Sequence, residues 1–246
     1  MVRTRLRDRH GCRIRAQHGD FLSARTGRWV VRGSPRLERV LLALIRHGQT
    51  DWNLAGRMQG RTDIPLNDTG RAQALAAAAP LAAEPWDVVV SSPLDRARET
   101  ALIIAGELDL PVGGAYDELI EQDFGEAEGT LVSELDVRWP LRDFAGMEPD
   151  AEVGPRGIRG LDRIAVDHPG ARVLAVAHGT LIRFTLAGIS GHDARHYPRL
   201  DNASSSFVRF DDAWGVVTIG GAPADEVFGV VEAAMADADA RLGVAS

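Results

Sequence analysis

Two short stretches of the chain carry side chains able to gather around an oxyanion. Arg46, His47 and Gly48 close a brief apolar run, Leu41 to Ile45. An apolar run that short, ended by a polar, Gly-containing loop, reads as a buried strand rather than a helix. A cation, an imidazole and a residue without a side chain at the end of such a strand let side-chain and backbone donors converge on an anion. The plan recurs downstream: Val173 to Ala177 reads as a second buried strand, and His178 and Gly179 open a helix that runs through Leu186. Open α/β sheets bind oxyanions at such strand ends. Between the two, Arg96 falls in the first turn of a helical segment over residues 94–108. An Arg there opposes the helix dipole at a small cost, which points to a ligand. Taken singly, each feature has a plainer account, as a surface turn, a structural histidine and a solvated arginine.

The segments between them alternate strand with helix. Asn67 or Asp68 can cap a helix whose sequence, RAQALAAAAPLAA, favours helix to about Pro80. WDVVVSSP reads as a strand covered on both faces, ending at Ser91, Ser92 and Pro93. In the next helix Leu94, Ala97, Ala101, Ile104 and Ala105 have core-facing spacing. Residues 130–170 read as helix, loop, helix, because Gly154, Pro155, Gly157 and Gly160 discourage a long helix. LDNASSSFVRFDDAWGVVTIG reads as two edge strands joined by a turn at Asp211 to Ala213. From Ala222 an acidic helix is expected, with Val227, Phe228, Val231 and Met235 along one face. The alternation predicts a three-layer α/β/α sandwich on a mostly parallel sheet. The expected divisions are an Arg-rich extension over 1–39, a catalytic domain over 40–220 and a helical tail over 221–246.

The continuation of the first loop, RHGQTDWN and then GRMQGRTDIPLNDTGRAQA, resembles the signature of the histidine phosphatase superfamily, which includes the cofactor-dependent phosphoglycerate mutases and many small phosphatases. SSPLDRARETA resembles the family's second motif, and VLAVAHGT its second histidine motif. The resemblance implies a phosphoglycerate mutase-like fold and a phosphohistidine formed on His47. It makes His178 a cationic stabiliser of the transferring group and Arg46 and Arg96 the phosphate clamp, with Asn53, Gly48, Gly60 and Gly179 completing the pocket. LIEQDFGEAEG resembles the segment carrying the acid that protonates the leaving group, here Glu121, a role that requires it to hold a proton near neutrality. Glu118, Asp123, Glu126 and Glu128 stand close by. Two departures concern the pocket: Ala127 stands where relatives usually carry Trp, and of a Gly-Gly-Glu-Ser type turn only Glu152 looks comparable. The resemblance demands no cofactor and no metal. The runner-up activity is a mutase, which would return the phosphoryl group to another hydroxyl; a third reading is a non-catalytic phosphate-binding module. Only 56 residues separate Glu121 from His178, leaving no room for the long insertion that mutases resembling this family carry, and so a hydrolase acting on a small phosphorylated metabolite is expected.

Composition narrows the rest. At 246 residues with 45% hydrophobic content the chain can build one large α/β core. The single cysteine, Cys12, excludes an intramolecular disulfide, and no secretory signal or membrane-length apolar run is visible, so a cytoplasmic location is expected. Every basic residue is Arg. Residues 1–40 hold 11 Arg against 3 acids, while the remainder carries a net charge of −15; phosphate binding must therefore come from a local Arg cluster. The basic extension lacks aromatic interleaving and reads as disordered rather than as a nucleic-acid arm. His192 and His196, four apart, have metal-pair spacing without carboxylate or cysteine companions and read as surface residues. No coiled-coil or repeat signal sets an oligomeric state.

Overall fold

The computed structural model describes residues 38–230 and 233. The Arg-rich segment up to residue 37, and Val231 and Met235 of the expected tail helix, lie outside the described residues.

The chain begins with β1 (Val40–Arg46) and a one-turn helix α1 (Asp51–Leu54), then α2 (Asp68–Leu81), β2 (Val88–Ser91), α3 (Asp95–Leu108) and β3 (Val112–Ala115). The second half holds α4 (Leu135–Arg138), α5 (Asp150–Asp167), β4 (Arg172–Ala177), α6 (Gly179–Ser190), β5 (Ser205–Phe210) and β6 (Trp214–Val216). A small hairpin, β7 (Thr218–Ile219) and β8 (Ala222–Pro223), precedes helical residues 224–230. The main sheet has the order β3-β2-β4-β1-β5-β6. β3, β2, β4 and β1 run parallel, and β5 and β6 return antiparallel.

Alternation along the strands sorts side chains between two faces. Leu42, Leu44, Val90, Val173 and Ala175 pack on one face with Val153, Leu161 and Ile164 of α5 and Leu181, Ile182 and Leu186 of α6. Ala43, Ile45, Val89, Leu174 and Val176 pack on the other with Leu81 of α2 and Ala97, Ala101 and Ile104 of α3. That is the expected three-layer sandwich, with strands hydrophobic throughout because both faces are covered.

Two expectations are corrected. α5 is one continuous 18-residue helix that runs through Gly154, Pro155, Gly157 and Gly160. The three glycines are buried, and they are the reason α5 can lie against its neighbours. A Cβ at Gly154 would sit 2.7 Å from the Phe184 carbonyl oxygen, one at Gly157 1.9 Å from Thr185 Oγ1, and one at Gly160 3.0 Å from Glu118 Cβ. Each glycine costs about 1 kcal/mol of helix propensity, and the close α5–α6 contact outweighs it with dispersion and apolar burial. The second correction concerns β5, which is not an edge strand: it pairs with β1 on one side and β6 on the other, so of these two strands β6 alone lies at a sheet edge.

Candidate active site

Strand register brings the two histidines together. In the parallel β1–β4 ladder Arg46 pairs with Ala177, so the next residues, His47 and His178, leave the sheet side by side. His47 N–H donates to the Ala177 carbonyl at 3.0 Å, and the imidazole centroids lie 5.2 Å apart. His47 Nδ1 is 2.7 Å from the Gly48 carbonyl oxygen. A carbonyl only accepts, which assigns the proton to Nδ1 and leaves the Nε2 lone pair available. His178 Nε2 meets Ser92 Oγ at 2.8 Å. Ser92 Oγ also accepts the Leu94 N–H at 3.3 Å, and as a hydroxyl it can either donate to His178 Nε2 or accept from it. His178 Nδ1 is buried without a partner among the described residues, as is Arg46 Nε. An oxyanion would satisfy the Arg46 N–H, and His178 Nδ1 once that ring is protonated, beside the free His47 lone pair.

Burial, followed by the charges of Arg96 and Arg46, pushes the His47 pKa well below its ordinary value. Burial and then Arg96 do the same to His178, with further contributions from His47, Arg46 and Arg156. Both shifts favour the neutral imidazole in the protein alone. A cationic His178 beside a bound anion, as the resemblance implies, needs that anion to compensate its charge.

Arg96 is fully buried in the first turn of α3. Its Nη2 donates to the Gly60 carbonyl at 2.6 Å and its Nη1 to the Thr62 carbonyl at 2.9 Å. The Gln59 amide oxygen accepts from Arg96 Nε at 2.7 Å and Nη1 at 3.1 Å, while the Gln59 nitrogen donates to Thr50 Oγ1 at 2.6 Å. Burial lowers the Arg96 pKa to about 10, against the opposing pull of Glu121, Asp63 and Glu128. The guanidinium thus remains charged at neutral pH with its orientation set by the 59–62 loop. Arg46, the last residue of β1, anchors Nη1 on the Leu200 carbonyl.

The glycines divide by role. Gly60 has φ +56°, and a Cβ there would lie 2.0 Å from Glu128 Oε1, so both conformation and contact require glycine. Gly179 opens α6 against the Arg46 side chain, with a Cβ position 3.3 Å from Arg46 Nε. The Gly48 N–H is committed to Thr100 Oγ1 at 3.1 Å, and its Cα abuts Gly70, whose carbonyl oxygen would lie 2.3 Å from a Cβ. Gly48 thus acts through close packing. Asn53 forms a capping box with Thr50 at the start of α1. Its Oδ1 also accepts from Asn202 Nδ2 at 3.3 Å, and no bond among the described residues takes its Nδ2.

Glu121 is buried beneath the start of α6. Its Oε1 accepts the N–H groups of Leu181 (2.9 Å) and Gln122 (3.0 Å), and its Oε2 accepts that of Thr180 (3.2 Å). The neighbouring acids are engaged elsewhere: Glu118 with Arg163, Asp123 with Arg61, Glu126 with Trp139, and Glu128 with the backbone of residues 61, 62 and 124. Among these five, Glu121 alone reaches the helix that begins at His178. Glu152 is exposed on the first turn of α5, whereas Glu148 is bound by Arg156 and Arg61. Ala127 is fully buried with Phe124, Leu135 and Phe144, which close the space a larger side chain would take.

Sequence reasoning missed Gln59, Ser92, Asn202 and Arg156. Asn202 Nδ2 donates to the His47 carbonyl at 3.0 Å; its position, 155 residues from His47, carries no local signal. His192 stacks on Phe228, and His196 ends a separate short 3₁₀ turn. No group of three or more His, Cys, Asp or Glu residues among the described residues could hold a metal ion. No helix among them is long and apolar enough to cross a membrane.

Residues 42–219 match the histidine phosphatase superfamily (branch 1). The chain belongs to this superfamily. An uncharacterized phosphatase, PhoE, of Bacillus subtilis is 41% identical over 177 residues, which is 71% of this chain and 91% of the relative. A metal-independent phosphoserine phosphatase of Arabidopsis thaliana is 34% identical, covering 70% of this chain and 76% of that protein. Among solved structures, a mycobacterial glucosyl-3-phosphoglycerate phosphatase in complex with VO3 superposes with a TM-score of 0.67 at 28% identity, covering 73% of this chain and 98% of that one. The protein is thus a histidine phosphatase with the mixed, mostly parallel sheet of that fold.

Proposed function

We propose that the protein hydrolyses a small phosphomonoester through a phosphohistidine on His47. The observation that carries this reading is the free His47 Nε2 lone pair beside two buried nitrogens without partners among the described residues, Arg46 Nε and His178 Nδ1. A phosphomonoester dianion repels nucleophiles until its equatorial oxygens are neutralised, a task suited to Arg46, Arg96, the Asn53 amide and His178. His47 Nε2 attacks phosphorus as the bond to the leaving oxygen breaks, and Glu121 delivers a proton to that oxygen. Glu121 then takes a proton from water, which attacks phosphorus, breaks the N–P bond and releases inorganic phosphate.

The substrate carries a second acidic group on its leaving half. Arg183, four residues beyond Gly179 on α6, donates from Nη2 to the Ala194 carbonyl at 2.9 Å and has its Nε buried without a partner among the described residues. Its pKa is lowered by burial and by Arg199, and it lies close enough to Glu121 to feel that carboxylate. Arg199 stands beside Leu200, which anchors Arg46, and repels both Arg46 and Arg183. Cations beside the acid favour a carboxylated leaving group, in keeping with relatives named for phosphoserine and glucosyl-3-phosphoglycerate. A phosphometabolite screen tests this: phosphate released from O-phosphoserine or phosphoglycerates well ahead of neutral sugar phosphates is expected. Arg199→Glu should raise KM on the acidic substrates about tenfold, with little change on p-nitrophenyl phosphate. Interconversion of 2- and 3-phosphoglycerate without free phosphate would favour the mutase reading instead.

A further inference from the structure

We propose that Arg156 is the positioning residue for the acid, resting on the reading of Glu121 as proton donor. Glu121 sits on an irregular segment between a 3₁₀ turn (Asp117–Leu119) and the loop that follows, so no regular element fixes its backbone. Arg156 does so instead. Its Nη1 donates to the carbonyls of Glu118 at 2.9 Å and Ile120 at 2.7 Å, and its Nη2 reaches the Glu121 carbonyl at 3.5 Å. The same guanidinium holds Glu148 bidentately, Nε to Oε1 at 2.7 Å and Nη2 to Oε2 at 2.8 Å. Arg61 closes the other side, with Nε at 3.4 Å from the Glu121 carbonyl and Nη2 at 3.2 Å from Glu148 Oε2. Gln122, next to the acid, donates to the Glu148 carbonyl at 2.9 Å. The Arg156 and Glu148 side chains are only 13% and 10% exposed, so solvent does not compete strongly for this pair, as it does for a surface pair.

Glu121 is consequently gripped from two helices. Its carboxylate is held by N–H groups at the start of α6, and its backbone by Arg156 from α5. The distance between those grips is set by the glycine contacts of α5 on α6 at Phe184 and Thr185. A planar fork that reaches the carbonyls of Glu118, Ile120 and Glu121 and a carboxylate suits arginine, and lysine cannot reproduce it. This also accounts for a helix that passes through Gly154-Pro155-Arg156-Gly157 despite its low propensity: close approach is what brings the fork to the segment carrying the acid.

Proton delivery matters for a poor leaving group and little for a good one, which separates positioning of the acid from general damage to the fold. The experiment compares glycerol 2-phosphate, which leaves as an alkoxide, with p-nitrophenyl phosphate, which leaves as a weakly basic phenolate. Arg156→Lys keeps the charge and loses the fork. Glu148→Gln keeps the shape and loses the ion pair that aims Arg156, and thermal melts identify which of the two variants is folded. In either one, kcat/KM on glycerol 2-phosphate is expected to fall about 30- to 100-fold, against less than about threefold on p-nitrophenyl phosphate. Orthovanadate affinity stays within about twofold, because the phosphoryl clamp is untouched. Equal losses on both substrates in a folded variant, while Glu121→Gln keeps the discriminating pattern, overturn the positioning role alone. A Glu121→Gln variant that loses both substrates equally overturns the reading of the acid, and the positioning role with it.

Discussion

Replacing Gln59 by leucine removes an acceptor from a fully buried cation while nearly conserving side-chain volume. Two of the Arg96 contacts go to the Gln59 amide oxygen, from Nε at 2.7 Å and Nη1 at 3.1 Å. Nη1 keeps the Thr62 carbonyl and Nη2 keeps the Gly60 carbonyl, so Nε alone is left unsatisfied. A hydrogen bond to a charged group contributes about 1.5–3 kcal/mol, and an orphaned buried donor brings its desolvation cost with it. Gln59→Leu should therefore cost about 2–3 kcal/mol in urea unfolding. A guanidinium that keeps its two Nη contacts but loses the Nε anchor should tilt in the pocket, at a cost of about 10- to 100-fold in kcat/KM and a parallel loss of orthovanadate affinity. Gln59→Glu is the informative partner. It keeps the acceptor but neutralises Arg96, so stability should remain near that of the parent while phosphate affinity falls as it does in Gln59→Leu. Parental stability and parental vanadate affinity in Gln59→Leu would refute the claim that this amide orients Arg96.

Three further outcomes follow from the same geometry. Both imidazoles have folded pKa values below the ordinary value of 6.5, so the unfolded chain binds more protons as the pH drops below 6.5, and stability must fall with acidification from that point. The slope is at most about 1.4 kcal/mol per pH unit for each imidazole, and His178→Gln should halve it in melts between pH 7.5 and 5. Orthovanadate or phosphate binding near pH 6.5 should take up a proton, measurable as buffer-dependent heat, because the anion favours the charged form of His178. Gly157→Ala should destabilise by about 1–3 kcal/mol through overpacking against Thr185, although helix propensity by itself predicts a gain of about 1 kcal/mol; a stabilised variant would contradict the close α5–α6 contact.

Much of the fold was legible because its signals are local. β1 and β4 are unbroken apolar runs that stop at a histidine and a glycine, and α3 shows core-facing spacing from Ala97 to Ala105. Arg96 could be read as a ligand-facing residue because its place in a first turn is otherwise unfavourable. Convergence of His47 and His178 needed one non-local fact, the register of Arg46 against Ala177, which no spacing encodes. α5 is hidden from sequence because glycine and proline propensities are properties of an isolated helix, whereas here the missing Cβ atoms are what permit packing on α6. Gln59, Asn202 and Arg156 act by reaching distant backbone, and a polar residue doing so looks in sequence like any surface polar residue.

The central claim is tested most directly by trapping the covalent intermediate. Rapid acidless quenching of the enzyme during turnover of O-phosphoserine, followed by proteolysis and mass spectrometry, should find a phosphoryl group on the peptide containing His47. That group should be labile to acid, stable to base, at no more than one per chain, and missing from His47→Ala, which should also lack turnover. Steady hydrolysis by His47→Ala, or the label on His178 in the parent enzyme, would contradict the account.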